Sequence, residues 1–182
     1  MSQIVVTNER IVNAKPADVY AILSDYKRRE QFLPENFQDY RVEKGGQGEG
    51  TVVQYRLHAA NRERNYRMKV EEVVKGKVLR ERDYDSSFVT TWTVSPESGG
   101  TQTRVGVASE WSGSSGIGGF FERTFAPLGL RNIYGDVLAR LNSRITGENL
   151  PAVNAKSYKN LYIPLLVVGA IIGFIISRKR EK

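Results

Sequence analysis

The chain has no cysteine and a single histidine, His58, in 182 residues. The first absence excludes disulfides, thiolate metal sites and cysteine nucleophiles, and it fits a reducing compartment. The second leaves too few ligands for a histidine-based metal site. A Ser-His-Asp arrangement would rest on His58 alone, which strand alternation turns outward. The first fourteen residues, MSQIVVTNERIVNA, lack a basic start followed by an apolar stretch, so a secretory signal is not expected and the domain is expected in the cytoplasm. Two glycine-rich stretches, GGQGEG at 45–50 and GSSGIGG at 113–119, lack the GK[ST] of a phosphate loop. The first reads as a hairpin turn and the second as a flexible lead into the last helix, placed to gate a cavity.

What the chain has in excess is positive charge, +7 net. Arg178, Lys179, Arg180 and Lys182 against Glu181 carry +3 of it and Lys156 with Lys159 carry +2, which leaves +2 for residues 1–155. The basicity therefore flanks an apolar tail, where Lys and Arg meet lipid headgroups. Nucleic acid is not an expected partner.

That tail, LYIPLLVVGAIIGFIIS at 161–177, is seventeen residues without a charge. At 1.5 Å per residue it spans about 25 Å, the short end for a bilayer core. Its eleven Leu, Ile, Val and Phe residues contribute about −3 to −7 kcal/mol to insertion. Pro164 falls in the first turn, where a missing N–H costs little. Tyr158, Lys159 and Tyr162 on one side and Arg178 to Arg180 on the other are suited to the interfaces. The reading is a single transmembrane helix from Leu161 through Ile176, followed by a basic tail at 178–182. The positive-inside bias would place the tail inside, yet nothing would carry a large N-terminal domain across, so a tail anchor with a cytoplasmic domain is expected. Gly169 and Gly173 form a GxxxG that permits a homodimer through this helix.

Ahead of a linker at 148–160, residues 1–147 read as one α+β domain. Leu130, Ile133, Tyr134, Val137, Leu138, Leu141 and Ile145 recur at spacings of three and four, which predicts an amphipathic helix over 127–145. Arg131, Asp136, Arg140 and Arg144 take its other face. Pro127 either starts this helix or kinks it away from a short turn at 120–125. Gly147 is placed to cap its end, and Pro151 stops its continuation. Pro16 opens a second helix as its first residue, with Val19, Ile22 and Leu23 on one side. A third, short helix is expected over 27–32. Between these, alternation such as Val53-Tyr55-Leu57 and Tyr66-Met68-Val70 predicts about seven antiparallel strands, apolar on one face. Such a sheet must cover its apolar face with the last helix.

The stretch VNAKPADVYAILSDYKRREQFLP at 12–34 resembles the opening of the START-like superfamily, the polyketide cyclase/dehydrase and lipid-transport group. Ser24-Asp25 followed by Phe32-Leu33-Pro34 is most similar to its coenzyme Q-binding branch. TWTVSPESGGTQTRVGV at 91–107 is similar to that group's penultimate hairpin. The resemblance covers about residues 3–147. It implies a helix-grip fold, a curved sheet wrapped around the C-terminal helix, with a ligand cavity between the two. The tail is not part of that pattern.

By alternation, Tyr55, Leu57, Tyr66, Met68, Trp92 and Trp111 turn inward to face Leu130, Tyr134 and Leu138. Aromatic rings with polar tips suit an amphipathic ligand, though the same residues would equally make a filled core. Aligning the strand at 78–84 on Leu79 turns Glu81 and Asp83 inward. Glu81 is then a candidate general acid or base. A one-residue slip would expose both and bury Val78 and Tyr84 instead. Arg56, Arg67, Lys69, Arg80 and Arg82 share the outer face. No metal or cofactor is expected. The leading expectation is non-enzymatic binding of a lipid, quinone or polyketide-like molecule beside the membrane. The alternatives are a cyclase or dehydratase using Glu81 or a tyrosine, and a membrane-docked protein-interaction module.

Overall fold

The computed structural model describes residues 3–59, 62–113 and 116–149, with 116–126 as backbone only. Met1–Leu150 close on themselves as one unit, and Pro151–Lys182 are a second. The second lies outside the described residues, and with it the expected membrane span (Leu161, Pro164, Gly169, Gly173, Ile176) and Arg178. Among the described residues, no helix is long and apolar enough to cross a membrane.

Seven antiparallel strands form one sheet: β1 (Gln3–Val12), β2 (Phe37–Lys44), β3 (Val52–Ala59), β4 (Arg62–Val74), β5 (Val78–Asp83), β6 (Val89–Glu97) and β7 (Gln102–Ser112). Their order is β1-β7-β6-β5-β4-β3-β2, so the first strand in sequence closes one edge beside the last. From there α1 (Pro16–Leu23) and a 3-10 turn at Arg29–Gln31 carry the chain to the opposite edge. The short helix expected over 27–32 is reduced to that turn. Pro16 occupies the first turn of α1, whose Val19 and Leu23 are buried. Here its fixed φ suits the helix and its missing N–H has no partner to lose.

The period-two pattern fixes the register. Val53, Tyr55, Leu57, Tyr66, Met68, Val70, Leu79, Trp92, Val94, Val105 and Val107 are all buried on one face. Against that face lies α2 (Gly116–Thr146), which buries Leu130, Ile133, Tyr134, Val137, Leu138 and Leu141. Those are the positions spaced three and four apart in the sequence, the stripe that a 3.6-residue helix presents to a core. The helix does not begin at Pro127 or break there. It starts at Gly116 and runs through the proline. A proline inside a helix removes one hydrogen bond, the one its N–H would have given to Arg123, while the bonds on either side can persist. At the far end Gly147 adopts φ +73° and donates its N–H to Ser143 O at 2.9 Å, the left-handed close of a helix that glycine accepts without strain.

The glycine-rich stretch at 45–50 does more than join β2 to β3. Tyr26 N–H donates to Gly46 O, and Gly48 N–H donates to Ser24 O, each at 2.9 Å. It thereby holds the segment after α1 against the end of the sheet. Gly46 sits at φ +123°, and a Cβ there would lie 2.4 Å from Lys27 Cε.

Candidate active site and ligand cavity

Two charged side chains lie inside this core. Arg29, from the 3-10 turn, and Glu81, from β5, are each 4% exposed. Leu79 sets the register of β5, so Glu81 and Asp83 turn inward with it, while Tyr84 is half exposed. The slipped register, with both carboxylates outside, does not occur. Arg29 Nη1 donates to Glu81 Oε1 at 2.8 Å. Tyr26 donates its hydroxyl to the same oxygen at 2.9 Å. Arg29 also donates from Nε and Nη2 to Leu23 O, at 3.2 and 3.1 Å. Its guanidinium carbon lies 4.1 Å from the Tyr26 ring centre and 5.1 Å from that of Trp92. Those faces attract a cation as well as packing against its plane. Burial works against the charge on Arg29, but Glu81 foremost, then Tyr26, Tyr40 and Tyr55, outweigh it and hold the guanidinium ionised, its pKa above the ordinary value.

A second polar group lies next to the first. Glu81 on β5 is the register partner of Thr90 on β6, and Thr90 is the partner of Ser109 on β7. Thr90 Oγ1 and Ser109 Oγ are 2.6 Å apart, and the Tyr134 hydroxyl of α2 hydrogen-bonds to Ser109 and lies 3.4 Å from Thr90. A polar rung therefore crosses three strands of an otherwise apolar face, closed by Arg29 and Tyr26 at one end and Tyr134 at the other. Burial pushes the Tyr26 and Tyr134 phenols well above their usual range.

Around this rung run aromatic contacts. Tyr40 and Phe37 pack on Tyr55, which meets Tyr66, which meets Phe88, which meets Trp111, with centroid spacings from 4.8 to 6.4 Å. Between these rings and the rung is a gap of about 20 Å³. Its polar side is Tyr26, Arg29, Glu81, Thr90 and Tyr134, and its apolar side includes Leu33, Phe37, Val53, Leu57 and Phe88. A space of that size holds about one water. The interior is therefore nearly filled in this conformation, because large rings occupy most of the room that the sheet's curvature leaves. Of the lining residues, Leu33, Phe37 and Tyr40 keep part of their surface in solvent, and there the gap comes nearest the outside.

All nine side chains expected to face inward are buried. Tyr55, Leu57, Trp92 and Tyr134 line the gap together with Glu81, whereas Tyr66, Met68, Trp111, Leu130 and Leu138 do not. The sequence reading missed Arg29 and Tyr26. Lys27, Arg28 and Arg29 are consecutive cations outside any periodic element, so nothing local shows which one turns in. The outward arginines largely pair with acids: Arg56 with Asp39 and Glu63, Arg67 with Glu43, and Arg82 with Glu71. Among the described residues no cluster of His, Asp and Glu could hold a metal ion.

Residues 3–146 match the family model described as polyketide cyclase / dehydrase and lipid transport. No curated protein matches the sequence. Among solved structures, the KanY protein, determined in solution by NMR, is 40% identical over 81% of this chain and all of its own, with a TM-score of 0.71. TTHA0849 from Thermus thermophilus is 20% identical over 79% of this chain and 97% of its own, with a TM-score of 0.66. A point mutant of Thalictrum flavum norcoclaurine synthase, in complex with a transition-state analogue, is 16% identical over 80% of this chain and 96% of its own, with a TM-score of 0.63. The latter two share the fold alone. By the family match and the closeness to KanY, the chain belongs to the polyketide cyclase/dehydrase and lipid transport family.

Proposed function

We propose that this protein binds a hydrophobic small molecule (a lipid, a quinone or a polyketide-like compound) between its sheet and α2, without chemical turnover, at a membrane surface. The observation that carries this reading is the lining of the gap: apolar and aromatic walls around one buried, charge-balanced polar group. Walls of that kind bury a lipophilic body, and a few fixed donors orient its polar end. Binding requires the gap to widen, and its half-exposed side at Leu33, Phe37 and Tyr40 is where side chains can move at least cost. The resemblance of Ser24-Asp25 and Phe32-Leu33-Pro34 to the coenzyme Q-binding branch favours a quinone. The apolar run at 161–177 supports a single membrane anchor, which would raise the local supply of a ligand that partitions into the bilayer.

Extraction of the full chain, purified in mild detergent from its own cells, followed by mass spectrometry of the extract, tests the proposal. A lipophilic compound in near-stoichiometric amount is expected. An empty protein that also takes up no added lipid or quinone overturns it. For the anchor, the full chain is expected in the carbonate-resistant membrane fraction. Its recovery in the supernatant would refute tethering.

A second reading, a cyclase or dehydratase, draws on Glu81 and Tyr26 lining the same gap. Glu81 Oε1 already accepts from both Arg29 and Tyr26, which favours a structural role over proton transfer. Turnover abolished by Glu81→Gln with binding intact would reverse that preference. An interaction module on the outer face is disfavoured by the acids that neutralise Arg56, Arg67 and Arg82.

A further inference from the structure

Around the gap, the polar groups of the rung are matched to one another. Thr90, Ser109 and Tyr134 share their hydroxyls, Glu81 Oε1 takes two donors, and Arg29 spends Nε and Nη2 on Leu23 O. Trp92 is the exception. Its ring lines the gap and is 3% exposed, yet its Nε1–H is buried with no acceptor among the described residues. An indole nitrogen can only donate. A buried donor left unpaired loses its hydration without compensation, so it calls for a partner. What the site lacks at this point is an acceptor.

Charge narrows the choice. The Arg29 and Glu81 charges cancel within 2.8 Å, so an anion would meet a carboxylate as closely as a guanidinium. A ketone or quinone carbonyl is the neutral acceptor that brings no donor of its own needing a further partner. We infer that the bound molecule is a neutral carbonyl compound whose oxygen accepts the Trp92 Nε1–H beside the Arg29–Glu81 pair. The inference rests on the carrier reading and gives its ligand a chemical class.

The test compares 2,3-dimethyl-1,4-naphthoquinone with 2,3-dimethylnaphthalene, two molecules of nearly equal shape that differ in their carbonyls. The full chain, carrying ¹⁵N only in its two tryptophan indoles, is placed in lipid nanodiscs, and each compound is titrated while the indole signals are followed. Trp92→Phe assigns the two signals. The quinone is expected to move the Trp92 N–H signal downfield and to bind at least tenfold tighter than the hydrocarbon. In Trp92→Phe the hydrocarbon is expected to bind as before while the preference for the quinone falls toward unity. Equal binding of both compounds to the unaltered chain, with the Trp92 signal unmoved, overturns the inference and leaves an apolar carrier standing. If neither compound binds, the carrier reading fails and the inference falls with it.

Discussion

Arg29 meets Glu81 at 2.8 Å across 52 residues of sequence, and both side chains are about as buried as the leucines around them. Desolvating two charges is expensive, and here the expense is offset by the Leu23 carbonyl, the Tyr26 hydroxyl and two aromatic faces as well as by the pair itself. Removing one member leaves the other charged in an apolar interior. Glu81→Leu or Arg29→Met should each lower stability by about 3–5 kcal/mol. The double variant should lose clearly less than the sum of the two. Urea unfolding of the four proteins measures this coupling, and simple additivity would mean that the two charges act independently.

The hydroxyl trio answers differently to substitution. Tyr134→Phe removes one hydroxyl but leaves Ser109 and Thr90 paired at 2.6 Å, so no polar atom is stranded. A loss of about 0.5–1.5 kcal/mol is expected from the missing hydrogen bond. Urea midpoints decide it. A loss as large as that of Glu81→Leu would show that Tyr134 supports more than this one contact.

Alkaline pH should unfold the protein through its buried phenols. Burial raises the pKa of Tyr26 and Tyr55 well above the usual value near 10, so both stay neutral in the folded state while the unfolded chain ionises. The unfolded state then binds fewer protons, and stability falls as pH rises. This contribution is complete below about pH 10 and is lost above it, by up to about 1.4 kcal/mol per pH unit for each phenol. Urea midpoints should hold steady from pH 8 to 9.5 and drop beyond. Tyr55→Phe should flatten the drop, and an unchanged slope would exclude Tyr55 as a contributor.

Phe37 should act on access to the interior rather than on the core. It is half-buried, lines the gap and packs on Tyr55 with ring centres 5.2 Å apart. Phe37→Ala is expected to speed uptake of an environment-sensitive dye such as Nile red in stopped-flow fluorescence. Its stability cost should stay below that of Leu79→Ala, which empties a fully buried site and should cost about 2–5 kcal/mol. Uptake unchanged in Phe37→Ala would place the opening elsewhere.

Much of the fold follows from local pattern. Alternation in Val53-Tyr55-Leu57 and Tyr66-Met68-Val70 can be satisfied only by a half-buried strand, and the stripe from Leu130 to Leu141 only by a helix with one apolar face. Pro16 and Gly147 mark helix ends because their backbone preferences are intrinsic to the residue. Continuity through Pro127 was not legible, since a proline inside a helix depends on what holds the turns beside it.

The site divides along the same line. Tyr55, Leu57, Trp92 and Tyr134 reach the gap because period fixes which way they point, and Glu81 joins them once Leu79 anchors the register of β5. Arg29 has no such rule. Its neighbours Lys27 and Arg28 are equally charged, and what selects it is the closure of the post-α1 segment onto Gly46 and Gly48, which brings its guanidinium over Tyr26 and against Glu81. Whether the interior is filled or open was likewise decided only in three dimensions. The sequence determines how many large rings point inward. The room left between them depends on how far a seven-stranded sheet curves around one helix, a property of the whole assembly and of no single segment.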